Sequence, residues 1–116
     1  MKYGNKPCVV DGQKFHSQLE AKRYSELALL QRAGKISQLQ TQVAFALEVQ
    51  GHKICKYIAD FVYMESGTLV VEDTKSTATV TQAYTIKKKL MKALHGIEIV
   101  EIYARPRTKA RRAKRG

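Results

Sequence analysis

Three residues in the middle of the chain, Asp60, Asp73 and Lys75, have the types and spacing that phosphodiester chemistry requires. Asp60 lies in Ile58-Ala59-Asp60-Phe61-Val62-Tyr63. Asp73 and Lys75 close Leu69-Val70-Val71-Glu72-Asp73-Thr74-Lys75, with a turn at Glu65-Ser66-Gly67 between the two runs. Apolar-rich runs on either side of a Gly-containing turn predict a β-hairpin. Side chains two apart on a strand share a face, so Asp73 and Lys75 project together, and pairing about Gly67 brings Asp60 across from them. Two carboxylates aimed at one point make a hard-oxygen site for Mg²⁺, with Mn²⁺ able to substitute. A lysine beside them can hold or help to activate a water next to a phosphate, which is the equipment of a metal-dependent phosphodiesterase. Taken alone, acid-x-lysine equally suits a solvated ion pair at a strand end. Glu72 alternates to the opposite face and ranks below Asp73 as a ligand.

Glu20 is the third acid. The segment from Ser17 to Ala33 reads as a helix closed by Gly34, with Ala21, Tyr24, Leu27 and Ala28 as its apolar stripe and Leu30 beside it. Glu20 falls on or beside that stripe, where a lone carboxylate is costly and needs a partner. A cation shared with Asp60 and Asp73 would supply one. Ser17-Gln18-Leu19-Glu20 is also a capping box, in which the same carboxylate turns back to the helix start. The sequence leaves both roles open.

The elements that must position these residues follow in order. Residues 1 to 10 read as an extended arm, and Val9-Val10-Asp11-Gly12 as a short strand and turn. After the first helix come strands at about Val43 to Val49, Lys53 to Met64 and Thr68 to Asp73, with Gly51 breaking the first from the second. Residues 76 to 81 read as a mobile loop beside the site. A second helix is expected from about Gln82 to Leu94, with Ala83, Ile86, Leu90, Ala93 and Leu94 as its buried stripe and Gly96 as its end. The segment from Ile97 to Tyr103 alternates as a last strand. The expectation is an α/β fold, αβββαβ, in which helices flank a mixed central sheet.

A chain of 116 residues carries one domain with one modest core. No apolar run is long enough to cross a membrane, and no signal-peptide apolar region opens the chain, so a cytoplasmic protein is expected. Cys8 and Cys55 lack ligand spacing, and the three histidines form no pair at helical ligand spacing, which argues against zinc and structural disulfides. The formal net charge is +11. Such a field draws polyanions, and nucleic acid is the natural partner. Without the exposed aromatic anchors of a basic amphipathic helix, a membrane surface is the poorer fit. Residues 105–116 hold seven of the basic side chains and no acid, so the rest carries only about +4. The division expected is a domain over residues 1–104 and a basic tail over 105–116, disordered when free. Its Arg105, Arg107, Lys109, Arg111, Arg112, Lys114 and Arg115 would contact the DNA backbone without choosing a sequence. Lys87, Lys88, Lys89 and Lys92 spread around the second helix, as most solvated lysine runs do.

Asp60 with Asp73-x-Lys75 resembles the motif of the PD-(D/E)XK nuclease superfamily, with Ala59 standing where the name-giving pattern has proline. With the early helix Glu20 added, the order resembles the superfamily's resolvase-type members. A closer resemblance is to a small family of phage proteins known as DUF1064. It is carried by Lys2-Tyr3-Gly4-Asn5-Lys6, Asp11-Gly12-x-x-Phe15-x-Ser17-x-x-Glu20-Ala21, Gly34-x-Ile36, Tyr57-x-Ala59-Asp60-Phe61, Glu72-Asp73-x-Lys75 and Tyr84-x-x-Lys87-x-Lys89, over roughly residues 1 to 103. The resemblance implies a restriction-endonuclease-like core and a phage endonuclease in the host cytoplasm, acting on branched DNA such as a Holliday junction. Asp60 and Asp73 would bind the metal, joined by the backbone carbonyl of Thr74. Glu20 would bind a second metal or hold a metal water. Lys75 would position the attacking water, and Lys87 and Lys89 would contact DNA. Two matched cuts suit a C₂ homodimer. A nuclease acting on flaps, ends or nicks is the alternative within the class, and a non-catalytic nucleic-acid-binding protein of the same fold is the alternative outside it.

Overall fold

Three dipeptides ending in glycine set the strand pairing. Asp11-Gly12, Gln50-Gly51 and Ser66-Gly67 all have positive φ at both residues. They are flanked by the paired residues Val10 and Gln13, Val49 and His52, and Glu65 and Thr68. Two-residue loops of this type I′ kind match the right-handed twist of the strands they join, and glycine takes the left-handed position without a Cβ clash. The computed structural model describes residues 8–75 and 80–104. Its elements are β1 (Cys8–Val10), β2 (Gln13–Phe15), α1 (Gln18–Arg32), β3 (Ser37–Val49), β4 (His52–Glu65), β5 (Thr68–Lys75), α2 (Gln82–His95) and β6 (Val100–Tyr103). Beyond the β1–β2 hairpin, the order is the expected αβββαβ. The main sheet runs β3-β4-β5-β6. Its first two pairings are antiparallel, and β5 pairs with β6 in parallel after the α2 crossover.

Two clusters cover the two sheet faces. Phe15, Ala21, Leu27, Ile36, Phe61 and Tyr63 pack on the α1 side. Leu47, Tyr57, Ala59, Val62 and Val71 pack with Tyr84, Met91 and Ile99 on the α2 side. Simple alternation would keep residues 57, 59, 61 and 63 of β4 on one face. Instead Tyr57 and Ala59 face α2, while Phe61 and Tyr63 face α1. The strand therefore changes face at Asp60. Its neighbour β3 changes face at the same level: Leu39 packs on the α1 side and Val43, Phe45 and Leu47 on the α2 side. Gln42 sits at that change with φ 53°. The ladder is kept on either side of it, at Thr41 with Phe61 and at Val43 with Ala59.

Several boundaries differ from expectation. β3 begins at Ser37, six residues earlier than expected, because its polar first half lies along a sheet edge with Gln38 and Gln42 in left-handed conformations. β6 is confined to Val100–Tyr103, although Ile99 before it is buried. The expected stripe of α2 is corrected. Tyr84 and Met91 are its buried residues, whereas Ile86 is 53% and Leu94 37% exposed. The tyrosine and methionine bury more apolar surface than the alanines of the expected stripe, and that sets the rotation of the helix. Residues 1–7 of the expected arm, the core of the expected loop at 76–79 and the tail at 105–116 lie outside the described residues.

Glu72 has a structural role. It is 1% exposed and takes two bonds from Arg23 of α1, Nε to Oε1 at 2.8 Å and Nη2 to Oε2 at 2.7 Å. The Tyr63 hydroxyl donates to the same carboxylate. A bidentate pair of this kind locks α1 to the sheet in one orientation, and removing one partner would cost roughly 3–5 kcal/mol because the other is left buried and charged.

Candidate active site

The β4–β5 ladder runs from Glu65 with Thr68 down to Phe61 with Glu72. Below it, at the level where β4 changes face, Asp60 closes the space with its side chain. Oδ2 of Asp60 accepts the backbone N–H of Thr74 at 2.9 Å and the Thr74 hydroxyl at 2.7 Å. A strand N–H is thereby satisfied by a carboxylate, and the Asp60 side chain is fixed beside Asp73. Thr74, expected to offer its carbonyl to a metal, is thus tied to the site through its donors.

Asp73 and Lys75 share a face as the strand period requires, with Lys75 Nζ 3.2 Å from Asp73 Oδ2. The same Asp73 oxygen accepts the Tyr57 hydroxyl at 2.9 Å. The Lys75 ammonium also stands 3.6 Å from the centroid of the Tyr84 ring, a cation–π contact that holds it between α2 and the acid. Tyr84 is in turn fixed by its hydroxyl bond to Glu101 Oε2 at 2.7 Å.

Glu20 turns one oxygen to the helix start and the other to the sheet. The Ser17 hydroxyl accepts the Glu20 N–H at 3.1 Å, as an N-cap should. Oε1 of Glu20 accepts the N–H of His16 at 3.0 Å, one residue before the position a capping box would use. Its other oxygen, Oε2, points into the sheet and accepts Gln42 Nε2 at 2.8 Å. The same Gln42 nitrogen reaches Asp60 Oδ1 at 3.5 Å, so the amide stands between the two acids. Sequence reasoning missed Gln42. The left-handed conformation of a non-glycine residue inside a strand is a signal of a functional site, but it is visible only in the backbone.

The acids burden one another. Asp73 is pushed up to about 7, first by burial and then by its hydrogen bond with Asp60 and the charge of Asp60. Lys75 and Tyr57 pull the other way without balancing it. Glu20 is raised above the usual carboxylate range, chiefly by burial and then by Asp60. Asp60 is therefore the common neighbour of two acid pairs. Among the described residues, no three acidic, imidazole or thiol side chains are grouped so that they could together hold a metal ion. The Asp60 and Asp73 pair nevertheless has the donor chemistry of a hard divalent cation, with Glu20 of α1 on the far side of Asp60 and Lys75 as the base beside Asp73.

Lys87 borders the Asp73 and Lys75 cleft, whereas Lys89 lines a separate one with Lys92 and Glu98. The structure thus parts two lysines that were expected to act alike. The basic residues of the tail, from Arg105 onward, lie outside the described residues. No described helix is long and apolar enough to cross a membrane.

The family described as a protein of unknown function, DUF1064, matches residues 1–106, and the chain belongs to that family. No curated protein sequence and no solved structure matches the chain.

Proposed function

We propose that this DUF1064 chain is a Mg²⁺-dependent endodeoxyribonuclease of the PD-(D/E)XK kind, acting on branched DNA in a phage-infected cell. One observation carries the reading: where β4 changes face, Asp60 stands between Glu20, reached through the Gln42 amide, and Asp73, which pairs with Lys75. A structural ion pair needs one acid and one base, and it gains nothing from a second carboxylate, Asp60, that raises both of its acidic neighbours. A cation bound there would supply Lewis-acid stabilisation of the phosphate charge and a more acidic water.

The residues of the chain divide the remaining work. Asp60 and Asp73 face each other and provide oxygen ligands. Thr74 holds Asp60 through two bonds, and Tyr57 holds Asp73. Glu20 adds a third carboxylate through the oxygen that the helix cap leaves to the site. Lys75, paired with Asp73 and steadied by Tyr84, lies where it can place a water and offset charge on the phosphate. Electrostatic stabilisation is the role given to this lysine, because its amino group is held between Asp73 and the Tyr84 ring beside the acids.

The testing experiment incubates the purified full chain with Mg²⁺ or Mn²⁺ and labelled four-way junction, flap, single-stranded and linear duplex DNA. Metal-dependent cuts, strongest on the junction and absent in Asp60→Asn, are the expected result. Cleavage confined to flaps or ends would replace the branched-DNA substrate. No cleavage of any DNA would leave a nucleic-acid-binding protein.

A further inference from the structure

Of the lysines in and around α2, two differ from the rest in what surrounds them. Lys88 Nζ is 2.9 Å from Glu101 Oε2 and Lys92 Nζ is 2.7 Å from Glu98 Oε2, so both are paired with acids. Glu101 is held below the ordinary carboxylate range by Lys88 and Tyr84. Lys89 has no acidic partner among the described residues but shares a separate cleft with Glu98, and Lys87 and Lys56 likewise have none. Both line one cleft of about 410 Å³ between β4 and the start of α2, together with Asp73, Lys75, Tyr57 and Tyr84. Asp73 offsets Lys75 there, so the cleft keeps the two positive charges of Lys56 and Lys87. Like charges gathered around a concave surface repel one another unless an anion joins them, and a concave wall focuses their field.

The cleft also states what kind of anion fits. It opens directly beside the acid cluster, sharing Asp73 and Lys75 with it. Tyr57 and Tyr84 are buried, and their hydroxyls are engaged by Asp73 and Glu101. They offer no ring face on which a base could stack, so the cleft reads backbone charge and not base identity.

We propose that Lys56 and Lys87 form a phosphate clamp, which seats the backbone phosphodiester next to the one delivered to Asp60 and Asp73. Lys56, on β4, and Lys87, on α2, then fix the path of one DNA strand across the acid cluster. The paired Lys88 and Lys92 contribute only to the general field. The proposal rests on the nucleic-acid reading above, and it makes contact with this cleft independent of sequence.

The test measures binding rather than cleavage. Full-length chain in EDTA is titrated with salt on a labelled linear duplex, for the wild type, Lys56→Gln/Lys87→Gln and Lys88→Gln/Lys92→Gln. Both double variants remove two charges from solvent-accessible positions. Each lost duplex-phosphate contact lowers the slope of log affinity against log salt by about 0.9. The cleft variant should therefore lose a slope of roughly 2 and the paired-lysine variant well under 1. Equal losses in the two variants, or none in the cleft variant, would overturn the clamp. A base-sequence-dependent loss would overturn its sequence independence. Because no metal is present, the clamp can stand even if the wild type cuts no DNA with Mg²⁺, and cleavage by the wild type does not rescue it.

Discussion

Asp73→Asn should make the metal-free protein more stable while removing its activity. The fold raises Asp73 from 3.8 to about 7. A carboxyl whose folded pKa lies above its unfolded value favours folding only while it is protonated. That advantage is complete below pH 3.8 and is lost as the pH rises through about 7. At pH 8.5 the native state must hold a charged Asp73, at about 1.4 kcal/mol per tenfold in proton affinity, or roughly 4 kcal/mol as a ceiling. Relaxation of the native site around the charge lowers that ceiling, and about 2 kcal/mol is expected. Asparagine mimics the protonated acid. Its side-chain oxygen can still accept the Tyr57 hydroxyl, and Lys75 meets a neutral group in both cases. At about 4 °C per kcal/mol for a chain of this size, the variant should melt roughly 8 °C above the wild type at pH 8.5 in EDTA. The two should converge near pH 4. The same substitution removes a metal ligand and should abolish cleavage while leaving DNA binding intact or tighter. The assay is thermal unfolding by circular dichroism across pH, with cleavage measured in parallel. A variant that melts lower at pH 8.5, or a gap that does not close as the pH falls, would refute the crowded-acid account.

Glu20→Gln keeps one acceptor oxygen, for the His16 cap, but turns an amide NH2 toward Gln42, whose own amide must rotate to meet it, and gives up the charge, so cleavage should fall at least a hundredfold with a melting shift of only a few degrees. Normal cleavage would leave Glu20 a helix cap alone. Gln42→Gly relieves the left-handed strain at φ 53° and loses the amide between Glu20 and Asp60. Stability measured by urea titration should stay within about 1 kcal/mol, because relieved strain and added chain entropy offset each other. The cleavage rate should nevertheless drop at least tenfold, and an unchanged rate would remove Gln42 from the site. Deleting residues 105–116 removes seven basic side chains and should reduce the salt slope of duplex binding by roughly 2 to 5 while sparing the fold and any junction preference. A salt titration on junction and duplex would expose the tail as a bystander if the slope held.

What the sequence determined by itself was local. Ser17 as a cap, the Ser66-Gly67 turn, Gly96 at the end of α2 and the shared face of Asp73 and Lys75 all follow from rules that act over a few residues, and each stands in the structure. Those rules sufficed to place an acid, a second acid and a lysine at one end of a hairpin. Tertiary structure decided where partners come from distant parts of the chain. Glu72 is a buried structural acid because Arg23, 49 residues away, lies on the helix that covers it. Tyr84 and Met91 are the buried residues of α2, with only Leu90 of the expected stripe packed beside them, because their larger apolar area fits against Leu47 of β3, Tyr57 and Ala59 of β4 and Ile99. The change of face at Gln42 and Asp60 had no sequence signature, since alternation assumes a regular pleat. That change lets Asp60 neighbour Glu20 on the α1 side, through Gln42, and Asp73 on the α2 side. A one-dimensional pattern can nominate charged residues, but whether their charges meet depends on a break in periodicity that only two packed sheet faces impose.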